Sequence, residues 1–232
     1  MRKVRTTTVR PTYSPEVDQG GFTMVELLAI CVLFTLLSFM VLPTLVRASQ
    51  HARQVSCVSN LRQIGLALQS YAALNRDSLP GPVYALAAPR CDESSTNQLA
   101  WFLARSGGSA RPLAGAIACS MLLCPAQEAN GHRGTDSTAN NRASYVLSEG
   151  RAGDATLPGA PFGRPIEPTT EPLKLSCITT STVPRTCVVM TDADKGDVNP
   201  TLAGWKELPY QPVHGKIRNQ LYFDWHVAPR SW

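Results

Sequence analysis

Glu26 stands at the edge of a run, Leu27 to Val46, of twenty residues without a charge. A carboxylate that enters an apolar phase unpaired costs on the order of 2.5–3.5 kcal/mol, so Glu26 needs a partner or a use. The turn Asp192, Asp194, Asp197 and Asn199 around Gly196 offers the hard oxygen donors that calcium prefers. It lacks the spacing and distal Glu of an EF-hand, and a solvated acidic turn explains the same residues. His214 and Asp224 flank a strand-like stretch, with His226 close behind. No Ser or Cys nucleophile sits in a recognisable elbow beside them, so structural hydrogen bonds are expected there and catalysis is not.

Cysteine chemistry is the remaining candidate. Of the seven cysteines, Cys31 lies in the apolar run, leaving Cys57, Cys91, Cys119, Cys124, Cys177 and Cys187 outside it. An even number in an exported domain favours disulfides, and six cysteines allow fifteen pairings. Cys177–Cys187 would close a short loop and is the pairing most expected; Cys57–Cys124 would tie a long helix to the rest of the chain. Cys119 and Cys124, with four residues between them and no paired His nearby, point only weakly to zinc.

The elements that must position these residues begin with the apolar run, since about 20 such residues cross a bilayer. Arg2, Lys3, Arg5 and Arg10 precede it, opposed only by Glu16 and Asp18. That asymmetry keeps the N-terminus cytoplasmic and exports the rest of the chain. The run is too long for a secretory signal and lacks a small-residue cleavage site. Elsewhere the basic residues of a chain of net charge +5 are scattered singly, which gives no nucleic-acid stripe. A plain cytosolic enzyme is disfavoured.

At the near edge of the run, Thr23 and Glu26 have capping-box spacing. A second explanation is a cut after Gly21, which frees the Phe22 amine for Glu26 to neutralise. The stretch Gly21-Phe22-Thr23-Met24-Val25-Glu26-Leu27-Leu28 resembles the start of type IV pilins and type II secretion pseudopilins. Pro43 also falls where helices of that superfamily often carry a proline. The resemblance implies a class III leader, removal by prepilin peptidase after Gly21, and methylation at Phe22. It further implies assembly through the apolar helix, with Glu26 setting subunit register and Pro43 kinking or loosening the helix. The implied partners are the membrane, prepilin peptidase, other pilin-like subunits and an inner-membrane assembly platform.

Helical periodicity continues through Val55, Val58, Leu61, Ile64, Leu68 and Tyr71 and stops near Asn75. A helix from Met24 to Asn75 would be roughly 75–80 Å long. Within it, Cys57-Val58-Ser59-Asn60-Leu61-Arg62-Gln63-Ile64-Gly65-Leu66-Ala67-Leu68 resembles the C-x-x-N-L-x-Q-I-G-L-A-L stretch of a large bacterial group of prepilin-like proteins. Many of these end in His, nine residues, then Asp-Gly. His214 and Asp224 match that pattern, and Trp225 stands where the Gly is usual, which weakens the expected hairpin turn.

The fold expected is α+β: a long N-terminal helix, transmembrane in its first half and amphipathic in its second, packed on a small antiparallel sheet. The expected divisions are a leader over 1–21, a membrane half over 22–46, an amphipathic half over 47–78, and a periplasmic head over 79–232. Strands are expected at Ser144–Ser148, Thr186–Thr191 and Gln220–Val227, a helix at Gln98–Ala104, and a Gly/Pro-rich loop over 150–172. The function expected is a structural subunit of a pilus or pseudopilus. A membrane-tethered periplasmic module that binds glycan, protein or DNA without polymerising is the alternative.

Overall fold

The computed structural model describes residues 21, 23–92, 96–105, 110–113, 116–129, 143–150, 159–166, 169–181 and 185–231. The expected leader up to residue 20, Phe22, and residues 151–158 and 167–168 of the 150–172 loop lie outside the described residues. The chain divides into two compact units between Val46 and Arg47.

A single helix, α1, covers Met24–Leu74, 51 residues. Its start is a capping box. The Glu26 amide donates to Thr23 Oγ1 at 3.3 Å, and Glu26 Oε2 accepts from the Thr23 amide at 2.9 Å and its hydroxyl at 3.1 Å. In the first unit the hydroxyls of Thr35, Ser38 and Thr44 bond back to carbonyls of their own helix. Those polar groups are thus satisfied without water, as an apolar solvent requires. The helix continues through Pro43. Every side chain from Thr23 to Val46 is exposed. Among the described residues this is the one helix long and apolar enough to cross a membrane.

The second unit begins at Arg47 and includes the rest of α1. There the helix buries Cys57, Leu61, Ile64, Gly65, Leu68 and Ala72 at three- and four-residue steps. The stripe is rotated from the expected one: Val55 is 53% exposed, whereas Cys57 is fully buried. A Cβ on Gly65 would meet Leu221 Cδ1 at 3.2 Å and the Trp225 ring at 3.5 Å, so its lack of a side chain lets a strand lie close to the helix. α1 ends through Arg76 and Asp77, both at positive φ (56° and 68°), with the Asp77 amide reaching back to Ala72 O at 2.8 Å.

After α1 come β1 (Leu86–Ala87), β2 (Arg90–Asp92), α2 (Leu99–Arg105), β3 (Ala110–Leu113), β4 (Ala116–Cys119), α3 (Pro125–Ala129) and β5 (Tyr145–Leu147). Then follow α4 (Leu175–Ser181), β6 (Val188–Asp192), β7 (Ile217–Tyr222) and β8 (Val227–Ser231). The main sheet is antiparallel, five-stranded, in the order β1-β5-β6-β7-β8; β2-β4-β3 form a second, three-stranded sheet. The protein is therefore α+β, a long N-terminal helix with a small antiparallel sheet. The buried stripe of α1 shares one hydrophobic core with Leu99, Leu103, Tyr145, Leu147, Phe162, Val189 and Leu221.

One strand expectation needs correction. The Gln220–Val227 strand is two strands, because the chain turns at Phe223–His226. The turn is made by Trp225 at φ 69°, whose amide donates to Tyr222 O at 2.8 Å. Trp225 thus adopts the conformation that favours Gly, and packing offsets the strain: its ring lies over Gly65 and meets Phe223 edge-on at 6.3 Å. The second sheet and α4 have no counterpart among the sequence expectations, since their segments carry neither alternation nor a helical stripe. α4 is started from a distance, with Asp77 Oδ2 accepting the Ser176 amide at 2.8 Å.

Gly81 faces the most crowded backbone in the fold: a Cβ there would be driven into the Phe162 carbonyl. Gly81→Ala is expected to cost about 2 kcal/mol or more, while Gly65→Ala costs less because Leu221 can shift. Thermal melts of the two variants in detergent check this ordering; equal midpoints would contradict it.

Candidate functional site

The C-x-x-N spacing on α1 and the histidine near the C-terminus converge on Cys124. Cys57 is disulfide-bonded to Cys124, with Cα atoms 5.4 Å apart. One turn along, Asn60 Nδ2 donates to Leu123 O at 2.8 Å. The C-x-x-N spacing therefore places a covalent bond and a hydrogen bond on adjacent residues of the same segment, while Leu61 fills the core behind them. From the other side, His214 Nε2 lies 3.5 Å from Cys124 Sγ and 3.7 Å from Asp192 Oδ2. Both His214 and Asp192 side chains are 2% exposed.

Asp192 ends β6 and faces β7. Its Oδ2 accepts from the Asn219 amide at 2.7 Å and from Asn219 Nδ2 at 3.0 Å, while its Oδ1 is buried without a hydrogen-bond partner. Burial pushes Asp192 up to about 7, against the two Asn219 bonds, and pushes His214 down to about 4. Desolvation of the charged form is the largest cause of both shifts, with the Asp194 charge adding to that of Asp192, and both favour neutral groups.

The expected calcium ligands are used differently. Asp194 makes a two-pronged ion pair with Arg218, Nε to Oδ2 at 2.5 Å and Nη2 to Oδ1 at 2.8 Å, and Oδ1 also accepts the Gly196 amide at 2.8 Å. A guanidinium thus takes the place a cation would hold. Asn199 Oδ1 is committed to the amide and hydroxyl of Thr201, and Asp197 is buried. Sequence reasoning missed Arg218 and Asn219. The available signal was the strand Ile217–Tyr222 itself, where Arg, Asn and Gln are consecutive and all are buried. Buried polar residues in a strand imply paired ones.

His214 and Asp224 are not brought together. Asp224 Oδ1 bonds His226 Nδ1, Oδ2 lies 3.5 Å from Arg185 Nε, and the His226 ring stacks on Tyr222 at 4.3 Å. This small network braces the β7–β8 turn. The expected Cys177–Cys187 bridge is also absent: Cys177 is exposed on α4, whereas Cys187 is buried beneath the sheet. Their short separation in sequence is overridden by opposite burial.

A family model described as "Protein of unknown function (DUF1559)" matches residues 47–163, half of the chain. The chain belongs to the DUF1559 family. DUF1559 is a family of bacterial pilin-like proteins. The match starts where the second unit starts and takes in Cys57, Asn60 and Cys124, the grip between α1 and the core of this DUF1559 chain. No curated protein and no solved structure matches the chain.

The buried charges can be tested one at a time. Arg218→Ala leaves the Asp194 carboxylate, 1% exposed, without its charge partner, and is expected to cost about 3–5 kcal/mol. The double replacement Arg218→Met, Asp194→Leu is expected to recover much of that in a denaturant titration. Glu149, whose carboxylate oxygens are buried, is pushed up to about 8 by burial, against the Phe162 backbone and Arg164. Its folded value lies above the ordinary 4.5, so the folded state holds the proton more tightly. This contribution to stability is complete below pH 4.5 and is lost as pH rises toward 8. Glu149→Gln should flatten the decline of melting temperature across that window; an unchanged profile would refute the assignment.

Proposed function

We propose that the chain is a pilin-like structural subunit rather than an enzyme. It is held in the bacterial inner membrane by α1, with the N-terminus cytoplasmic and the head periplasmic. Prepilin peptidase cuts it after Gly21, the Phe22 amine is methylated, and an inner-membrane platform packs the 22–46 helices into a pilus or type II secretion pseudopilus. One observation carries this reading. From Met24 to Val46 the chain presents an apolar helical surface with every side chain exposed and a single carboxylate, Glu26, at its start. Such a surface must be covered by lipid or by like helices. DUF1559 membership supports the same reading.

In this scheme Glu26 exchanges its Thr23 bonds for an amine. An unpaired carboxylate among packed apolar helices costs roughly 2.5–3.5 kcal/mol, enough to select one register over its neighbours by about a hundredfold. The Thr23 bonds explain how the carboxylate waits in the lipid interface before assembly.

A second reading, a tethered module that does not polymerise, is favoured by one feature of the head. A cleft of about 500 Å³ is lined by Tyr84, Leu86, Ile166, Leu202 and Leu208, an apolar setting suited to a ligand.

Mass spectrometry of the mature chain should find N-methylphenylalanine at position 22; an intact Met1, or a cut elsewhere, would remove the leader from the argument. Glu26→Ala should still be processed yet be depleted from sheared filaments by at least about tenfold. Unchanged incorporation would favour the tethered module.

A further inference from the structure

We propose that Cys57 and Cys124, when reduced, form with His214 a three-ligand binding site for one zinc ion, so that this point of the core alternates between a covalent staple and a metal centre. The proposal does not depend on the filament reading. Sγ of Cys57, Sγ of Cys124 and a ring nitrogen of His214 all lie within 4.8 Å of one another. The Cys124 Sγ to His214 Nε2 distance of 3.5 Å equals, to about 0.1 Å, the sulfur–nitrogen edge of a tetrahedron built on Zn–S of about 2.3 Å and Zn–N of about 2.05 Å.

Asp192 borders the set on the His214 side, and the fourth position is left to water. Its Oδ2 is 3.7 Å from the same His214 nitrogen and is fixed by two bonds from Asn219, while Oδ1 is buried with no hydrogen-bond partner. A buried carboxylate with one unpartnered oxygen, next to His214, favours a cation held by that histidine. Two thiolates and an imidazole suit zinc, which is borderline soft and tetrahedral, better than calcium or magnesium.

The chemistry balances with a dithiol as reductant. Two electrons and two protons pass from the dithiol to the Cys57–Cys124 bond, giving two thiols here and a disulfide on the reductant. Zinc then displaces the two thiol protons, and the sulfurs settle about 3.8 Å apart in place of the roughly 2.05 Å of a disulfide. Oxidation reverses the sequence and expels the metal. Entry is from a cleft of about 470 Å³ bordered by Gln50, His51, Gln54 and His214. Arg47 and Arg53 in the same cleft oppose a cation's approach, so equilibrium binding after long incubation is the proper readout.

The experiment uses the full chain in detergent, oxidised or reduced anaerobically, with zinc chloride as the probe and cobalt as its spectroscopic substitute. Reduced protein is expected to take up one zinc per chain in competition with a chromophoric chelator, to gain thermal stability with it, and to show a thiolate-to-cobalt charge-transfer band. Oxidised protein should take up none. Cys57→Ser, which spares the remaining cysteines, should abolish the tight site, and His214→Ala and Asp192→Asn should each weaken it at least about tenfold. Equal zinc affinity in the oxidised form or in Cys57→Ser would overturn the proposal. So would a cobalt spectrum without the thiolate band, or a reduced chain that unfolds and is not refolded by zinc.

Discussion

At Cys57 and Asn60, one turn apart on α1, a covalent bond and a hydrogen bond hold the same stretch, Leu123–Cys124. The bridge closes a separation of 67 residues, which by chain entropy stabilises the fold by about 4 kcal/mol. Its placement matters as much as its strength. The grip fixes which face of the helix turns inward, and the buried stripe from Leu61 to Ala72 follows from that rotation. With the face set, Gly65 meets Leu221 and Trp225, so the helix, the central strands and the β7–β8 turn share one core.

A second constraint is electrostatic. β6 ends in Asp192, and Asp194 follows two residues on; β7 answers these two buried carboxylates with Asn219 and Arg218. The antiparallel pairing of β6 and β7, with Thr191 opposite Gln220, brings the Asp192 carboxylate to the Asn219 amide. Each buried acid costs desolvation that only its own partner offsets, which specifies the register of the two strands. For Asp192 the offset is partial. That leaves its second oxygen buried without a hydrogen-bond partner, near His214.

Much of the architecture was legible because it rests on local rules. Apolar length gave the first half of α1, periodicity gave the second, and β-branched and aromatic content located β5 and β6. Legibility failed where a residue acts against its type. Trp225 holds a left-handed turn because Gly65 leaves room for its ring, so one expected strand became two. α4 carries little propensity of its own and depends on a cap from Asp77, 99 positions before Ser176. Of the site, the sequence patterns named Cys57, Asn60 and His214 as notable, but not for what they touch.

By itself the sequence determined the division of labour along the chain: an uncharged helix headed by one carboxylate, then a polar domain with cysteines to spare. Those properties depend on residue type and on spacings of three to seven, which the chain carries wherever it folds. Which cysteines pair, which cation answers Asp194 and what His214 faces were decided by the tertiary structure alone. Their partners lie 67, 24 and 90 residues away. Over such spans local propensity is silent, and only the burial of α1 on the sheet brings the atoms within reach.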